Sequence, residues 1–363
     1  MSLSNIKVMA LTRYSRRGAS SRMRTFQFLP FLEDQGIAVN IFPLFGDSYL
    51  SRLYAGESRT LTASASYARR ILNVLSGRKY DLVWMEKELL PFVPWAVDRV
   101  LWKLLPPIIT DFDDAIFDRY KSASRPFVRS FLGSKIERVM ASSKTVIAGN
   151  SYLAEHAQKA GARKVEIVPT VVDPDRYCVT PRTAGQFRIG WIGTPKTAHY
   201  LGRVACVLAR AKRELGAEIV LIGTHGDALL GLEPTVHEWT EDTEADLLSS
   251  ISIGIMPLDD GDWEKGKCGY KLIQYMASGK PVVASAVGAN IDIVRDKGVG
   301  YLARDDDEWF EAFRLLSDEG RRHEMGLSAR KLVEEQYSVS SAAKQLSRII
   351  REAVETENMK RLQ

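Results

Sequence analysis

Lys267-Cys268-Gly269-Tyr270-Lys271-Leu272-Ile273-Gln274-Tyr275-Met276-Ala277-Ser278-Gly279-Lys280-Pro281-Val282-Val283-Ala284-Ser285 reads as one helix followed by one buried strand. Leu272, Ile273, Met276 and Ala277 recur at helical spacing, so one face of that helix packs on a sheet. Gly279 ends the helix, and an apolar run follows at once. Lys267, Gly269 and Lys271 fall at or before the helix N-terminus, where the macrodipole gathers partial positive charge. Two cations at a helix terminus make a seat for a diphosphate. Gln274, one turn further in, falls on a face suited to a ribose hydroxyl.

Outward from that stretch, short β-branched runs alternate with longer amphipathic segments through most of the 363 residues. That alternation marks βαβ units around parallel sheets. Strands are predicted over 6–11, 37–43, 81–85, 108–110, 145–149 and 166–169, and then over 187–192, 218–222, 235–239, 253–256, 281–284 and 300–302. Helices are predicted over 21–34, 61–75, 91–104, 126–141 and 152–159, and at the end over 306–317, 320–335 and 339–356. Between the two series, the turn-rich residues 173–186 (Asp173, Pro174, Asp175, Pro181, Gly185) read as an interdomain linker. Two α/β domains fit the length, since one core seldom organises so long a chain. No repeat period points to a solenoid.

Three further segments carry candidate chemistry, each at the carboxyl end of a predicted strand, where open α/β sheets bind their ligands. The loop 13–22 places Gly18 and small residues before a helix, with Arg22 and other arginines around it, so its backbone N–H groups suit a phosphate or an acceptor. The alternative is a solvated basic turn with Ser20 or Ser21 as N-cap. Asp111, Asp113 and Asp114 crowd three carboxylates after an apolar strand, which suits a proton acceptor or a group that orients hydroxyls. The alternative is an N-cap pair for the next helix. The turn Gly193-Thr194-Pro195-Lys196 exposes backbone donors beside a full positive charge, a second phosphate seat. No G-x-G-x-x-G follows any strand, which disfavours a nicotinamide oxidoreductase.

The charge balance, 50 basic against 45 acidic residues, lacks the concentrated patches of nucleic-acid proteins and fits a phosphate-bearing small molecule or an anionic membrane surface. Cys178, Cys206 and Cys268 are odd in number and lack C-x-x-C spacing, which argues for a reducing cytoplasm and against disulfides or a zinc site. Met1-Ser2-Leu3-Ser4 leads straight into a strand pattern, so no signal peptide is expected. The apolar stretch 89–109 is too interrupted by charges and prolines to span a membrane. Trp95, Trp102, Arg99 and Lys103 within it suit either a membrane-facing patch or a packed helix with its charges outward.

The stretch quoted first resembles the donor-binding motif of the retaining glycosyltransferase family 4, F-G-x-x-x-x-E-A-M-A-x-G-x-P-V-V. Ser151-Tyr152-Leu153 and Lys164-Val165-Glu166-Ile167-Val168-Pro169-Thr170-Val171-Val172-Asp173 are similar to that family's S-x-x-L and K-I-x-V-I-P-N-G-V-D. Residues 321–346, with Tyr337-Ser338 at a break, resemble its terminal helices. The resemblance implies a GT-B fold, two Rossmann-like domains with parallel sheets facing across a cleft. On this sequence they are an acceptor-side domain over 1–178, joined by the last helix over 339–363, and a donor-binding domain over 179–338.

The implied activity is transfer of a sugar from a nucleotide-diphosphate sugar to a hydroxyl acceptor, retaining and without a metal or other cofactor, in bacterial polysaccharide or glycoconjugate synthesis. The acceptor would be a saccharide or lipid-linked, and the location cytoplasmic, peripheral at the inner membrane face. By position, Lys271 and the 193–196 turn meet the diphosphate, Gln274 the ribose, and Trp239-Thr240 the nucleobase. Lys196, Lys267 and Lys271 would stabilise the leaving diphosphate, while Asp111, Asp113 and Asp114 would act on the acceptor side. The sequence departs from the family at both carboxylates of its pair, which become Gly266 and Gln274, with Glu264 or a backbone N–H left to replace the first. It also has the Asp cluster where the family often has a histidine, and Thr170-Val171 in place of Asn-Gly. Rival readings are a nucleotide-sugar epimerase and a non-catalytic sugar-nucleotide-binding protein.

Overall fold

The computed structural model describes residues 5–58, 60–179, 185–229 and 231–362. Met1 to Ser4 and the 180–184 part of the expected linker lie outside them. The chain divides into two compact units, residues 1–170 with 342–363, and residues 171–341.

The first unit holds β1 (Ile6–Leu11), β2 (Ile37–Ile41), β3 (Leu82–Glu86), β4 (Ile108–Phe112), β5 (Thr145–Ala148) and β6 (Val165–Ile167), all parallel in the order β2-β1-β3-β4-β5-β6. Every residue of β3 and β4 is buried, as continuous apolar runs covered on both faces require. Acidic residues enter only toward their carboxyl ends, where Glu86 lies opposite Asp111 in register. The chain steps from β1 out to β2 and returns to the other side of β1 at β3. That reversal opens a crevice beyond the carboxyl ends of β1 and β3.

The second unit holds β7 (Arg188–Ile192), β8 (Glu218–Ile222), β9 (Thr235–His237), β10 (Ile253–Met256), β11 (Val282–Ser285) and β12 (Gly300–Ala303), again parallel, in the order β12-β11-β10-β7-β8-β9. Its reversal falls between β7 and β10, and so does its crevice. Helix Val339–Leu362 leads the chain back to the first unit, where Arg348 pairs with Glu166 at 3.0 Å and Gln345 donates to the Ile167 carbonyl at 2.9 Å.

Several expected helices are shorter or broken. The span 21–34 forms helix Ala19–Arg24, a 3-10 turn Phe26–Phe28 and helix Leu29–Asp34. Thr25 leaves helical geometry at φ −131° and gives its hydroxyl to Glu86 at 2.7 Å, a long-range bond that overrides local propensity. The span 126–141 becomes Pro126–Leu132 and Lys135–Ser142, interrupted at Gly133 and Ser134. The span 91–104 reduces to Trp95–Trp102, which is held from inside by fully buried Asp98, 3.1 Å from Lys135. Its Trp95 and Trp102 rings pack edge-to-face at 5.6 Å, while Val97, Arg99, Val100 and Lys103 face solvent.

Candidate functional site

In the second unit, Tyr275 shapes the crevice. Gly254 of β10 has no Cβ, and one placed there would overlap the ring of Tyr275. The buried ring therefore crosses the sheet at that point, and its hydroxyl accepts from the Ile192 N–H at 2.9 Å and donates to the Ile255 carbonyl at 3.2 Å. One side chain thus bridges the two strands that flank the reversal.

Tyr275 lies on helix Tyr270–Ala277, and Lys271 sits one turn earlier on the same face. Its Nζ lies 3.9 Å from the ring centroid of Trp191, itself buried at the end of β7. A Cβ at Gly193 would stand 2.6 Å from that Nζ, so the glycine makes room for the cation. Lys271 is half-buried and forms no ion pair among the described residues. Burial first, and the nearby charge of Lys267 second, lower it to about 7. Lys267 lies 5.7 Å from the ring of Tyr200 and 5.6 Å from that of Trp263. Tyr200 also hydrogen-bonds Glu264, the carboxylate nearest to position 266 in the chain.

The Gly193 turn runs on into a 3-10 helix, Pro195–Val204, instead of an α-helix. Thr194, Pro195 and Lys196 are exposed there. On the far side of Gly193 lies Gly223, at φ 78°, where a Cβ would come within 2.7 Å of the Gly193 carbonyl and 3.0 Å of Cβ of Trp239. Lys271, Gly193, Gly223 and Trp239 therefore form a contiguous run. Trp239 is 38% exposed, and the exposed Thr240 closes a turn with Thr243 at 2.8 Å. Gln274 is buried and within hydrogen-bonding reach of Tyr177.

In the first unit the three aspartates separate. Asp111 is buried and clamped in two-pronged fashion by Arg24 at 2.8 and 3.1 Å, while Arg24 also donates to the Val168 carbonyl at 2.8 Å. Asp113 accepts from the Ser20 hydroxyl at 2.6 Å and pairs with Lys87 at 2.7 Å. Burial opposes its ionisation, but Lys87 and Ser20 outweigh that and hold it at about 2. Asp114 meets Lys87 at 3.2 Å and, with its side chain 35% exposed, is the most accessible of the three. Neither N-cap reading holds. Ala115 caps helix Ile116–Lys121 with no side-chain bond, and Gly18 does the same for Ala19–Arg24. Gly18 is required by contact with Tyr14, and Arg22 is half-buried on the following helix.

Glu86, Lys87 and Glu88 carry as much of this cluster as the aspartates do, and the sequence reading passed over them. Glu86 accepts from the Arg13 N–H, Ser21 and Thr25 at 2.9, 2.6 and 2.7 Å, which fixes the loop after β1. Lys87 takes φ 62°, a left-handed backbone unusual outside glycine, and points its ammonium between Asp113 and Asp114. Glu88 meets Tyr120 at 2.8 Å and Lys135 at 2.9 Å. Three consecutive charges directly after the apolar run Leu82-Val83-Trp84-Met85 were the available signal.

Residues 186–319 match the family described as glycosyl transferases group 1. No curated protein matches the sequence. HepE of Anabaena, solved in complex with UDP and glucose, is similar at TM-score 0.66 and 16% identity, over 96% of this chain and 100% of that one. Sucrose-phosphate synthase from Thermosynechococcus elongatus is similar at TM-score 0.71 and 12% identity, over 96% and 98%. WaaG, a glycosyltransferase involved in lipopolysaccharide biosynthesis, is similar at TM-score 0.66 and 16% identity, over 95% and 99%. At these identities the likeness is one of fold. The chain has the GT-B fold, and its residues 186–319 carry the match to glycosyl transferases group 1.

Proposed function

We propose that the chain is a glycosyltransferase that moves a sugar from a nucleoside-diphosphate sugar to a hydroxyl acceptor, with retention and with no metal or other cofactor. The observation that carries this reading is Lys271, a half-buried cation with no ion pair among the described residues, seated on Trp191 at the crevice of the second unit. A cation held there without an acid partner is poised for an anion, because a diphosphate recovers the charge that burial disfavours. The solved complexes of HepE with UDP-glucose and with UDP support a nucleotide sugar as that ligand.

Breaking the anomeric bond leaves added negative charge on the departing diphosphate. Lys271, Lys267 and the backbone of the 193–196 turn would stabilise that charge more in the transition state than in the ground state. Lys196, exposed at the turn, would close on the outer phosphate. In the first unit Asp114, the most accessible aspartate, is the residue assigned to orient the acceptor hydroxyl, with Asp113 and Lys87 holding it in place. Asp111 braces the fold through Arg24.

A saccharide or lipid-linked acceptor in bacterial glycoconjugate synthesis fits this scheme, and WaaG's part in lipopolysaccharide biosynthesis supports it; a peripheral membrane contact is compatible with it. The test is incubation with a panel of nucleotide sugars, with and without acceptor, following nucleoside diphosphate release. Release from one donor, abolished in Lys271→Met, is the expected result. Binding without release would turn the reading to a sugar-nucleotide-binding protein.

A further inference from the structure

Glu244 is a carboxylate buried to 6% exposure, with no ion pair among the described residues. Its two oxygens are held by neutral donors alone, the Tyr177 hydroxyl at 2.7 Å on one and the Trp239 indole N–H at 2.7 Å on the other. A buried acid without a cation is an expensive way to hold two side chains together. Solvent would have satisfied the N–H of an indole that stays 38% exposed. The bond to Glu244 instead fixes the ring edge-on, and leaves the indole half-exposed beside the Gly193–Gly223 contact that leads to Lys271. The Gln274 side chain reaches Tyr177 from the other end, so the position where the family's second carboxylate is missing is tied to the same chain of bonds. Arg176 pairs with Glu241 at 3.6 Å and joins the same two segments a second time.

We propose that Glu244 is a positioning residue for donor binding, which with Tyr177 clamps the Trp239 indole so that its face stacks the heterocycle of a nucleoside diphosphate. This deepens the sugar-nucleotide reading above and rests on it. A nucleobase stacks on a fixed aromatic face with little loss of side-chain entropy, whereas a free indole must be ordered on each binding event. Gln274, neutral and buried, then contributes by orienting Tyr177. The sequence thus replaces a carboxylate at position 274 with one at position 244, reached through a phenol.

Calorimetric binding of UDP, ADP, GDP and inorganic pyrophosphate to the full chain separates the base platform from the phosphate seat. For the tightest of the three nucleotides, Glu244→Ala and Trp239→Ala should each weaken binding about tenfold, and the double variant no further, because the two act as one unit. Pyrophosphate binding should be unchanged in both, while Lys271→Met loses pyrophosphate and nucleotide alike. Tyr177→Phe, which keeps the ring and removes one donor, should give an intermediate loss. Unchanged nucleotide affinity in Glu244→Ala at a lowered Tm would show a merely structural carboxylate and overturn the proposal. Equal losses for pyrophosphate and nucleotide would overturn it too. A wild-type chain that binds none of the three nucleotides would instead bring down the sugar-nucleotide reading and this proposal with it.

Discussion

If a diphosphate seats on Lys271 as proposed, that lysine sets the pH range of its binding. Its ordinary value is lowered to about 7 by burial and by Lys267, and a bound anion raises it again, so binding takes up a proton. Below pH 7 the lysine is charged with or without ligand, and its own contribution to affinity is flat. As pH rises from about 7 toward the bound value, affinity falls by up to tenfold per unit, which calorimetry in buffers of different ionisation enthalpy would detect as proton uptake. Lys271→Met should remove this pH dependence and, if the cation stabilises the leaving group, cut turnover by roughly two to three orders of magnitude. In the first unit Arg24 has a different kind of effect. Arg24→Met leaves Asp111 buried with its two-pronged partner gone, and should destabilise the fold by about 3–5 kcal/mol in urea titration. Asp111 and Arg24 lie 87 positions apart, so nothing local in the sequence distinguished this strut from Asp114 three residues on. Three aspartates in a row of four look alike until the partner each meets is known.

Among elements, helix Tyr270–Ala277 does the most to place the site, and its role was legible because its signals are local. Apolar spacing, Gly269 before the helix and Gly279 after it are written in consecutive residues; Gly279 takes φ 67° as the glycine after a helix does, and Gly269, at φ 65°, takes a left-handed backbone that glycine tolerates. The twelve strands among the described residues were legible for the same reason, as short apolar runs, most of them β-branched, bounded by turns. Breaks in helices were not, since Thr25 departs from the helix to reach Glu86, 61 positions away. Nor did periodicity reveal that Tyr275 is a crossbeam, because its place in the pattern is that of any core residue. Tyr275→Phe tests that role. It leaves the buried Ile192 N–H without its acceptor, and should cost about 1–3 kcal/mol in urea unfolding. Because the bond joins β7 to β10, the variant should also loosen the seat of Lys271, so nucleotide affinity falls along with stability. At the other end of the helix, Arg330 donates to the Ala277 carbonyl at 2.8 Å and to the Tyr177 carbonyl at 2.8 Å, a cation where the dipole favours one. The helix is therefore fixed at both termini.

At the scale of the whole chain, a formal charge of +5 is too small to direct partners by itself, and what matters is where it concentrates. Besides Lys135, which is buried on Glu88 and Asp98, residues 119–138 hold five basic residues (Arg119, Lys121, Arg125, Arg129, Arg138) against one acidic residue, Glu137. Within that stretch, helix Pro126–Leu132 exposes Phe127 to 69% and Phe131 to 57%, their tilted rings 4.4 Å apart one turn along the helix. No helix among the described residues is long and apolar enough to cross a membrane. Two exposed aromatic rings among arginines suit contact with an anionic bilayer surface, where the rings enter the headgroup boundary and each cation near the surface adds about 1 kcal/mol. Of the two readings open for Trp95 and Trp102, the packed helix with its charges outward fits the structure, since the two rings are partly buried against each other. The full chain should sediment with vesicles containing phosphatidylglycerol and not with neutral phosphatidylcholine, and the binding should weaken as salt rises and the Debye length shrinks. Phe127→Ser with Phe131→Ser should abolish sedimentation at moderate salt and leave nucleotide binding unchanged, because both rings belong to the first unit and the groups that would hold the nucleotide, Lys271 and Trp239, to the second. Equal sedimentation of the double variant would assign the contact to charge alone, and failure of the wild type to bind anionic vesicles would exclude the surface as a membrane contact.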